Sequence, residues 1–308
     1  MNTLRDNSQV STFRNCPLQY KYKYVVGLER QEEGESEHHR NFGKAIHGGL
    51  EMLHKGGTTE AMLTAFESLY PEQLDESDLA KTQENGLTLL KAYATRYVND
   101  KDKYKFLDVE TRIDFQVGGR DFCVKCDAVV ENIKYGGIYS LETKTTGKTL
   151  AYKYWDQYNP NHQLDAQTAG VRSKFGECAG VIVNAISFGY RQRKYKEEPA
   201  GFHYAFERAE FNRPDAALKQ WEISTVQTLE DIENAIEKDR FPANTNACTF
   251  CSFKSICAAS WSWPEDEDLI LLTYQKKANP FDYISNPSST SDDANNKQKD
   301  APCQLEAT

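Results

Sequence analysis

Glu142-Thr143-Lys144 sets a carboxylate and an ammonium two residues apart. In a strand both side chains leave one face, and Tyr139, Leu141 and Thr143 leave the other. Asp127 lies in a preceding segment of alternating polarity. There Lys125 shares its face, while Phe122, Val124, Cys126 and Ala128 take the opposite one. The connection between the two segments is short, which makes them adjacent and antiparallel. Two carboxylates and one ammonium on neighbouring strands suit Mg²⁺ or Mn²⁺, cations that prefer oxygen ligands. Phosphodiester hydrolysis needs a cation at the phosphate, an activated water and a stabiliser for the developing charge. Lys144 has the charge to orient that water or to neutralise the phosphorane oxygens. The bland alternative is a surface Glu–Lys pair, and the triplet alone does not separate the two.

A second chemistry is written in sulfur. Three of the eight cysteines form Cys248-x2-Cys251-x5-Cys257. In a protein without an export signal such clustering favours metal binding over disulfides. Four thiolates hold either Zn²⁺ or an iron–sulfur cluster, and spacing does not choose between them. Cys123 and Cys126 are also two residues apart, but an alternating strand sends them to opposite faces. We take them, with Cys178, as ordinary core residues; Cys303 lies in the tail.

The elements that position these residues are legible as periodicity. Residues 8–28 form a helix start, and a polar linker covers 29–40. Helices follow at 42–55, 59–70 and 82–100. At residue 108 the period changes to two. Residues 109–117 and 121–130 alternate around the turn Gly118-Gly119, which is a β-hairpin. A third strand covers 138–144, then come a helix at 160–175, strands at 181–188 and 202–206, and a long helix at 212–238. This order predicts an α/β (α+β) domain over 1–283, with a central mixed sheet flanked by helices. A helical insertion covers about 42–100 and the core about 105–240. The composition of 284–308 predicts a disordered tail.

The net charge of −9 argues against a protein that coats nucleic acid broadly, without excluding one local basic cleft. Acidic runs at 32–37 and 264–268 suit solvated loops. No apolar run is long enough to span a bilayer, and Met1-Asn2-Thr3-Leu4-Arg5-Asp6 leads into no apolar leader core. The expectation is a cytoplasmic protein with no membrane partner. Three stretches interleave bases with aromatics: Tyr20-Lys21-Tyr22-Lys23-Tyr24, Tyr152-Lys153-Tyr154-Trp155, and Tyr190 through Lys196. They offer phosphate neutralisation and stacking on unpaired bases, or simply amphipathic packing with snorkelling lysines. Tyr154 and Trp155, close behind Lys144, are the preferred substrate contacts.

Taken together, Gly43-Lys44-Ala45-Ile46-His47, Asp127, Glu142-Thr143-Lys144 and Gln163-Leu164-Asp165-Ala166-Gln167 resemble the RecB-like branch of the PD-(D/E)xK nuclease superfamily. The resemblance implies a restriction-endonuclease-like core. It makes His47, Asp127 and Glu142 ligands of Mg²⁺ or Mn²⁺, Lys144 the catalytic lysine, and Gln163 a substrate-positioning residue. Two positions depart from the pattern: Val124 stands where the family has Gly, and Gln167 where it has a tyrosine. Ser11-Thr12-Phe13-Arg14-Asn15-Cys16-Pro17-Leu18-Gln19-Tyr20 looks like the opening of the AddB-type and CRISPR-associated iron–sulfur nucleases. By that resemblance Cys16, Cys248, Cys251 and Cys257 hold a [4Fe-4S] cluster in preference to Zn²⁺, a clasp joining 248–257 to Cys16. The expected activity is exonucleolytic hydrolysis of single-stranded DNA or duplex ends, in recombination, repair, or phage or CRISPR DNA processing. A helicase or recombination protein is an implied partner, since the chain has no Gly-x4-Gly-Lys-Ser/Thr motif of its own. The alternative is a DNA-binding or scaffold subunit that keeps the cysteine clasp without cutting.

Overall fold

The turn Gly118-Gly119 sets the register of the sheet. Both residues have positive φ, 56° and 76°, as a two-residue hairpin loop requires and as glycine permits. Val117 then faces Arg120, and β3 (Tyr104–Val117) pairs antiparallel with β4 (Arg120–Asn132) along its length. β5 (Ile138–Thr146) pairs antiparallel with only the last part of β4, from Ala128 opposite Leu141 to Glu131 opposite Ile138. The first part of that same edge is taken by β1 (Arg5–Asp6), parallel to β4 at Phe122 and Cys123. Between the two, residues 124–127 of β4 have no strand partner on that edge among the described residues.

β6 (Gly180–Arg191) runs parallel to β5, and β7 (Gly201–Asn212) pairs antiparallel beyond it. The parallel step needs a crossover. It is made by α7 (Tyr152–Trp155) and α8 (His162–Phe175). The result is a six-stranded mixed sheet flanked by helices, as the sequence predicts. This computed structural model describes residues 4–30, 35–71, 78–191, 201–262 and 272–277. The acidic stretches 32–34 and 264–268, the basic residues 192–196 and the tail 284–308 lie outside the described residues.

One face of the sheet is covered by α1 (Asn7–Asn15), α8 and α9 (Asp215–Glu237). Val10, Phe13, Ile113, Phe122, Val124, Val171, Trp221 and Leu229 share that core. The other face carries the helical insertion: α3 (Glu35–His54), α4 (Thr59–Leu69), α5 (Gln83–Arg96) and the short α6 (Asp100–Lys103). Phe42, Ile46, Met62, Phe66 and Leu90 pack there on Ile186 and Phe188 of β6. A Cβ on Gly86 would lie 2.1 Å from the Phe66 ring, so only glycine lets α5 sit this close to α4.

The expected helix over 8–28 is broken. Cys16 is extended (φ −162°, ψ 113°) between α1 and α2 (Pro17–Tyr20), because a residue before proline is driven out of the helical region. A π-helical turn, Lys21–Val26, follows. The expected linker over 29–40 in fact holds the end of β2 (Leu28–Arg30) and the start of α3. β2 pairs with β8 (Tyr274–Lys276), which follows α10 (Lys254–Ser262) near the other end of the chain. Periodicity could not show that pairing, because short strands distant in sequence carry little pattern. Among the described residues no helix is long and apolar enough to cross a membrane.

Candidate active site

The open stretch of β4 is where the predicted residues meet. Beyond Ala128 the β4–β5 ladder ends, and the Asp127 carboxylate takes up the next backbone donor, accepting the Thr143 N–H at 2.7 Å. The same oxygen lies 3.5 Å from His47 Nδ1 on α3. On the other side Glu142, 5 % exposed, is held by α8. Gln163 Nε2 donates to Glu142 Oε1 at 2.7 Å and Gln167 Nε2 to Oε2 at 2.5 Å. Lys144 Nζ sits 2.6 Å from Glu142 Oε1 and donates to Gln163 Oε1 at 3.2 Å. Gln167 also donates to the Lys125 carbonyl at 3.2 Å, satisfying an acceptor on the unpaired edge. Asn161 caps α8 by accepting the N–H groups of Gln163 and Leu164, which places Gln163 in the first turn and Gln167 one turn later.

The charges hold one another. Burial alone would push the Asp127 carboxyl up, yet the His47 ring, the Thr143 N–H and Lys144 carry it below the usual carboxylate range. Glu142 moves the other way, raised by burial and by the Asp127 charge against the opposing pull of Lys144 and Gln167. Lys144 is raised despite burial because Glu142 faces it, and His47 likewise because of Asp127. Two buried carboxylates in one neighbourhood shift in opposite directions because each is set against different partners.

Besides a register shift between Phe106 and Asp108, the strand faces depart from the expected alternation at Glu110. Thr111 lies on the α8 side, where Lys174 donates to its hydroxyl at 3.3 Å, whereas Val109 packs with Phe106 under α3. Residues two apart on opposite faces require a flip between them, and Glu110 supplies it with φ 51°. Across the ladder the same flip parts Ala128 from Cys126, which were expected to share a face. Glu110 is thereby turned to the α3 side. Its carboxylate, His47 and Asp127 offer ligand atoms that all lie within 4.8 Å of one another. Glu142 stands outside that group, committed through both oxygens to Lys144, Gln163 and Gln167. Glu110 was missed although the signal was present. A two-residue turn fixes register, and counting back from Val117 opposite Arg120 sets residue 110 opposite 127.

Tyr154 and Trp155 do not form the open stacking surface expected of them. Tyr154 is 7 % exposed and its hydroxyl bonds that of Tyr158 at 3.0 Å. Trp155 packs against Tyr154, Tyr158 and Phe211. The pair closes an apolar gap beside β6, and Tyr152, 85 % exposed, is the aromatic left outward. Tyr20 and Tyr24 are likewise core residues; between them Lys23 is exposed and Lys21 is half-buried against Asp239.

A buried polar chain ties the site to the helical insertion. Asn184 of β6 donates to the Thr143 hydroxyl at 3.2 Å and to Tyr93 at 2.9 Å. Arg208 of β7 donates to Asn184 and Tyr93 and pairs with Asp100 at 2.7 Å.

Cys16, Cys248, Cys251 and Cys257 lie near enough for their charges to interact, without forming a tight cluster among the described residues. Burial pushes the Cys257 thiol up to about 11, and Cys251, Cys16 and Cys248 add to that shift. The Asn244 N–H donates to Cys16 Sγ at 3.3 Å, the bond that stabilises a thiolate ligand. No three of these sulfurs lie within 4.8 Å of one another among the described residues. A tetrahedral zinc, with Zn–S near 2.3 Å, would draw them to about 3.8 Å. The donor set fits metal by chemistry, at a wider spacing than a single zinc.

No curated protein matches this chain. Among solved structures it is similar to a proposed exonuclease from Eubacterium rectale, with 12% identity and a TM-score of 0.50 over 82% of this chain and 87% of that one. It is also similar to SSO0001, with 15% identity over 84% and 87%, at a TM-score of 0.34, too low to carry an argument. The first likeness is one of fold. The family model of the PD-(D/E)XK nuclease superfamily matches residues 7–258, so the chain belongs to that superfamily.

Proposed function

We propose that the protein is a divalent-metal-dependent deoxyribonuclease that trims single-stranded DNA or duplex ends. The observation that carries this reading is the meeting of α3, β4, β5 and α8 at residues 124–127 of β4, which have no strand partner on one edge among the described residues. His47, Asp127 and Glu142 are the residues to hold Mg²⁺ or Mn²⁺, an imidazole nitrogen with hard carboxylate oxygens being a suitable donor set. When bound, the cation supplies charge at the phosphate and acidifies its bound water. Lys144 places an ammonium where negative charge develops on the phosphate oxygens. Gln163 fixes both Lys144 and Glu142, and Gln167 takes the place of the family's tyrosine by holding the second Glu142 oxygen. Hydrolysis adds hydroxide to phosphorus and breaks the bond to the 3′ oxygen, which takes the proton, so products carry 5′-phosphates.

The four cysteines are assigned a [4Fe-4S] cluster that clasps the chain's two ends. It supports the nuclease structurally and takes no part in hydrolysis. Unwinding of duplex would come from a separate protein. Incubating anaerobically purified protein with end-labelled single-stranded and duplex DNA, with Mn²⁺, Mg²⁺ or EDTA, tests the whole reading. Mononucleotides or short oligonucleotides with 5′-phosphates should appear with either cation and vanish with EDTA. Iron-replete protein that binds DNA and cuts none of it with Mn²⁺ would leave the scaffold reading in place.

A further inference from the structure

We propose that Glu110 is a further carboxylate of the divalent-cation site, reaching the ion directly or through one of its waters, with Lys125 as its exchangeable counter-ion. The inference rests on the metal-dependent reading of this same site. Three observations carry it. First, Glu110, His47 and Asp127 already bring their ligand atoms within 4.8 Å of one another, while both Glu142 oxygens are taken by Lys144, Gln163 and Gln167. Mg²⁺ and Mn²⁺ take about six ligands, and His47, Asp127 and Glu142 at one atom each leave about half of that shell to fill.

Second, the side chain is aimed there by its backbone. Ordinary alternation would send residue 110 to the side of Asp108, whose carboxylate pairs with Lys174 of α8 at 2.6 Å. The φ of 51° sends it to the side of His47 instead. Outside glycine this conformation costs about 1 kcal/mol or more. Asn or Asp would bear it more easily than Glu, and a Glu there is long enough to reach across to Asp127.

Third, its present partner is easily displaced. Lys125 Nζ lies 2.6 Å from Glu110 Oε2, but the Lys125 side chain is 51 % exposed against 13 % for Glu110. An exposed ammonium on a flexible stem exchanges readily, so an entering cation takes its place beside Glu110. Lys125 is then released beside a cavity of about 270 Å³ that it lines together with Gln163, Gln167 and Arg112. There its charge is free for a DNA phosphate.

The test is Mn²⁺ binding to the full-length protein by calorimetry and by loss of the free-ion paramagnetic resonance signal, without DNA. Glu110→Gln keeps the shape and removes the charge; Glu110→Asn suits the left-handed backbone if the first variant folds poorly. Either should weaken Mn²⁺ at least about tenfold, the scale seen when a group supporting a metal is removed. Lys125→Met should tighten Mn²⁺ binding, having removed the competing cation. Asp127→Ala is the reference. If it loses Mn²⁺ while both folded Glu110 variants stay within twofold of the parent, Glu110 is no part of the site and the nuclease reading stands. If Asp127→Ala and the Glu110 variants all bind as the parent does, the cation site itself has been misplaced. Loss in the Glu110 variants alone would keep Glu110 and overturn Asp127.

Discussion

Asp127 and Glu142 stand on strands that pair with each other, whereas Cys16 and Cys257, 241 residues apart in sequence, share only a neighbourhood. The first region is framed by two large apolar cores, one on each face of the sheet. Its polar groups bond one another. The second has a small satellite core of Leu28, Phe253, Ile256 and Tyr274. Its 3₁₀ turn, Thr245–Phe250, buries no residue, and Phe250 is 98 % exposed. The difference is one of what holds the geometry. Hydrophobic packing holds the sheet site, while the cysteine region has little apolar burial, so the cluster proposed there would contribute its binding energy to folding.

The sharpest way to break this comparison is at the sheet. Lys144→Ala, Asp127→Ala and Glu142→Ala should each cut DNA hydrolysis roughly 10²–10³-fold or more, the scale for removing one group that meets developing charge. His47→Ala should fall less. All four should keep the parent's circular dichroism spectrum and iron content. Near-parental cleavage by a clean Lys144→Ala preparation would remove that residue from the mechanism.

At the other end of the molecule the order of effects should invert. Ser at Cys16, Cys248, Cys251 or Cys257 should bleach the protein and lower Tm by roughly 5–15 °C, at about 2–4 °C per kcal/mol for a domain of this size. Activity should be lost in proportion to unfolded protein. Ser at Cys123, Cys126 or Cys178 should leave iron unchanged. Full iron in the Cys16 variant would undo the clasp, and stoichiometric zinc in the anaerobic parent would replace the cluster.

A smaller effect separates the regions by pH. His54, 8 % exposed and stacked on Phe106, has its pKa pushed down to about 4, mainly by burial and further by Arg208. Its unfolded value is near 6.5. Below that pH the unfolded chain takes a proton that the folded one refuses, so stability falls as pH drops from 6.5 toward 4. At about 1.4 kcal/mol per pH unit, the loss reaches about 2 kcal/mol at pH 5. Urea unfolding at pH 7 and pH 5 should show His54→Gln losing less than the parent by about that amount. An equal loss in both would mean that His54 is hydrated in the native state.

The smallest expected effect is at Tyr154. Tyr154→Phe removes one buried hydrogen bond and should cost about 1 kcal/mol, with cleavage of single-stranded DNA within about twofold of the parent. A tenfold loss of cleavage at unchanged Tm would return Tyr154 to substrate contact.

The amino-acid order determined much of this by itself. Alternation around Gly118-Gly119 marked β3 and β4, and the spacing of Glu142 and Lys144 put them on one face. The Cys16-Pro17 dipeptide held the signal for the break between α1 and α2. These features depend on period, chirality and turn chemistry, which act over a few residues. Three others do not. The parallel docking of β1 against β4 leaves the edge gap in which Asp127 sits. The left-handed backbone at Glu110 reverses the faces, so an unbroken period of two puts Ala128 on the wrong side. Tyr154 is covered by Trp155 and Tyr158, and Phe211 packs on those two rings only when β7 joins the sheet. Local propensity fixes which residues can share a strand or a turn, but which edge stays open and which aromatic is covered follow from the packing of segments distant in sequence.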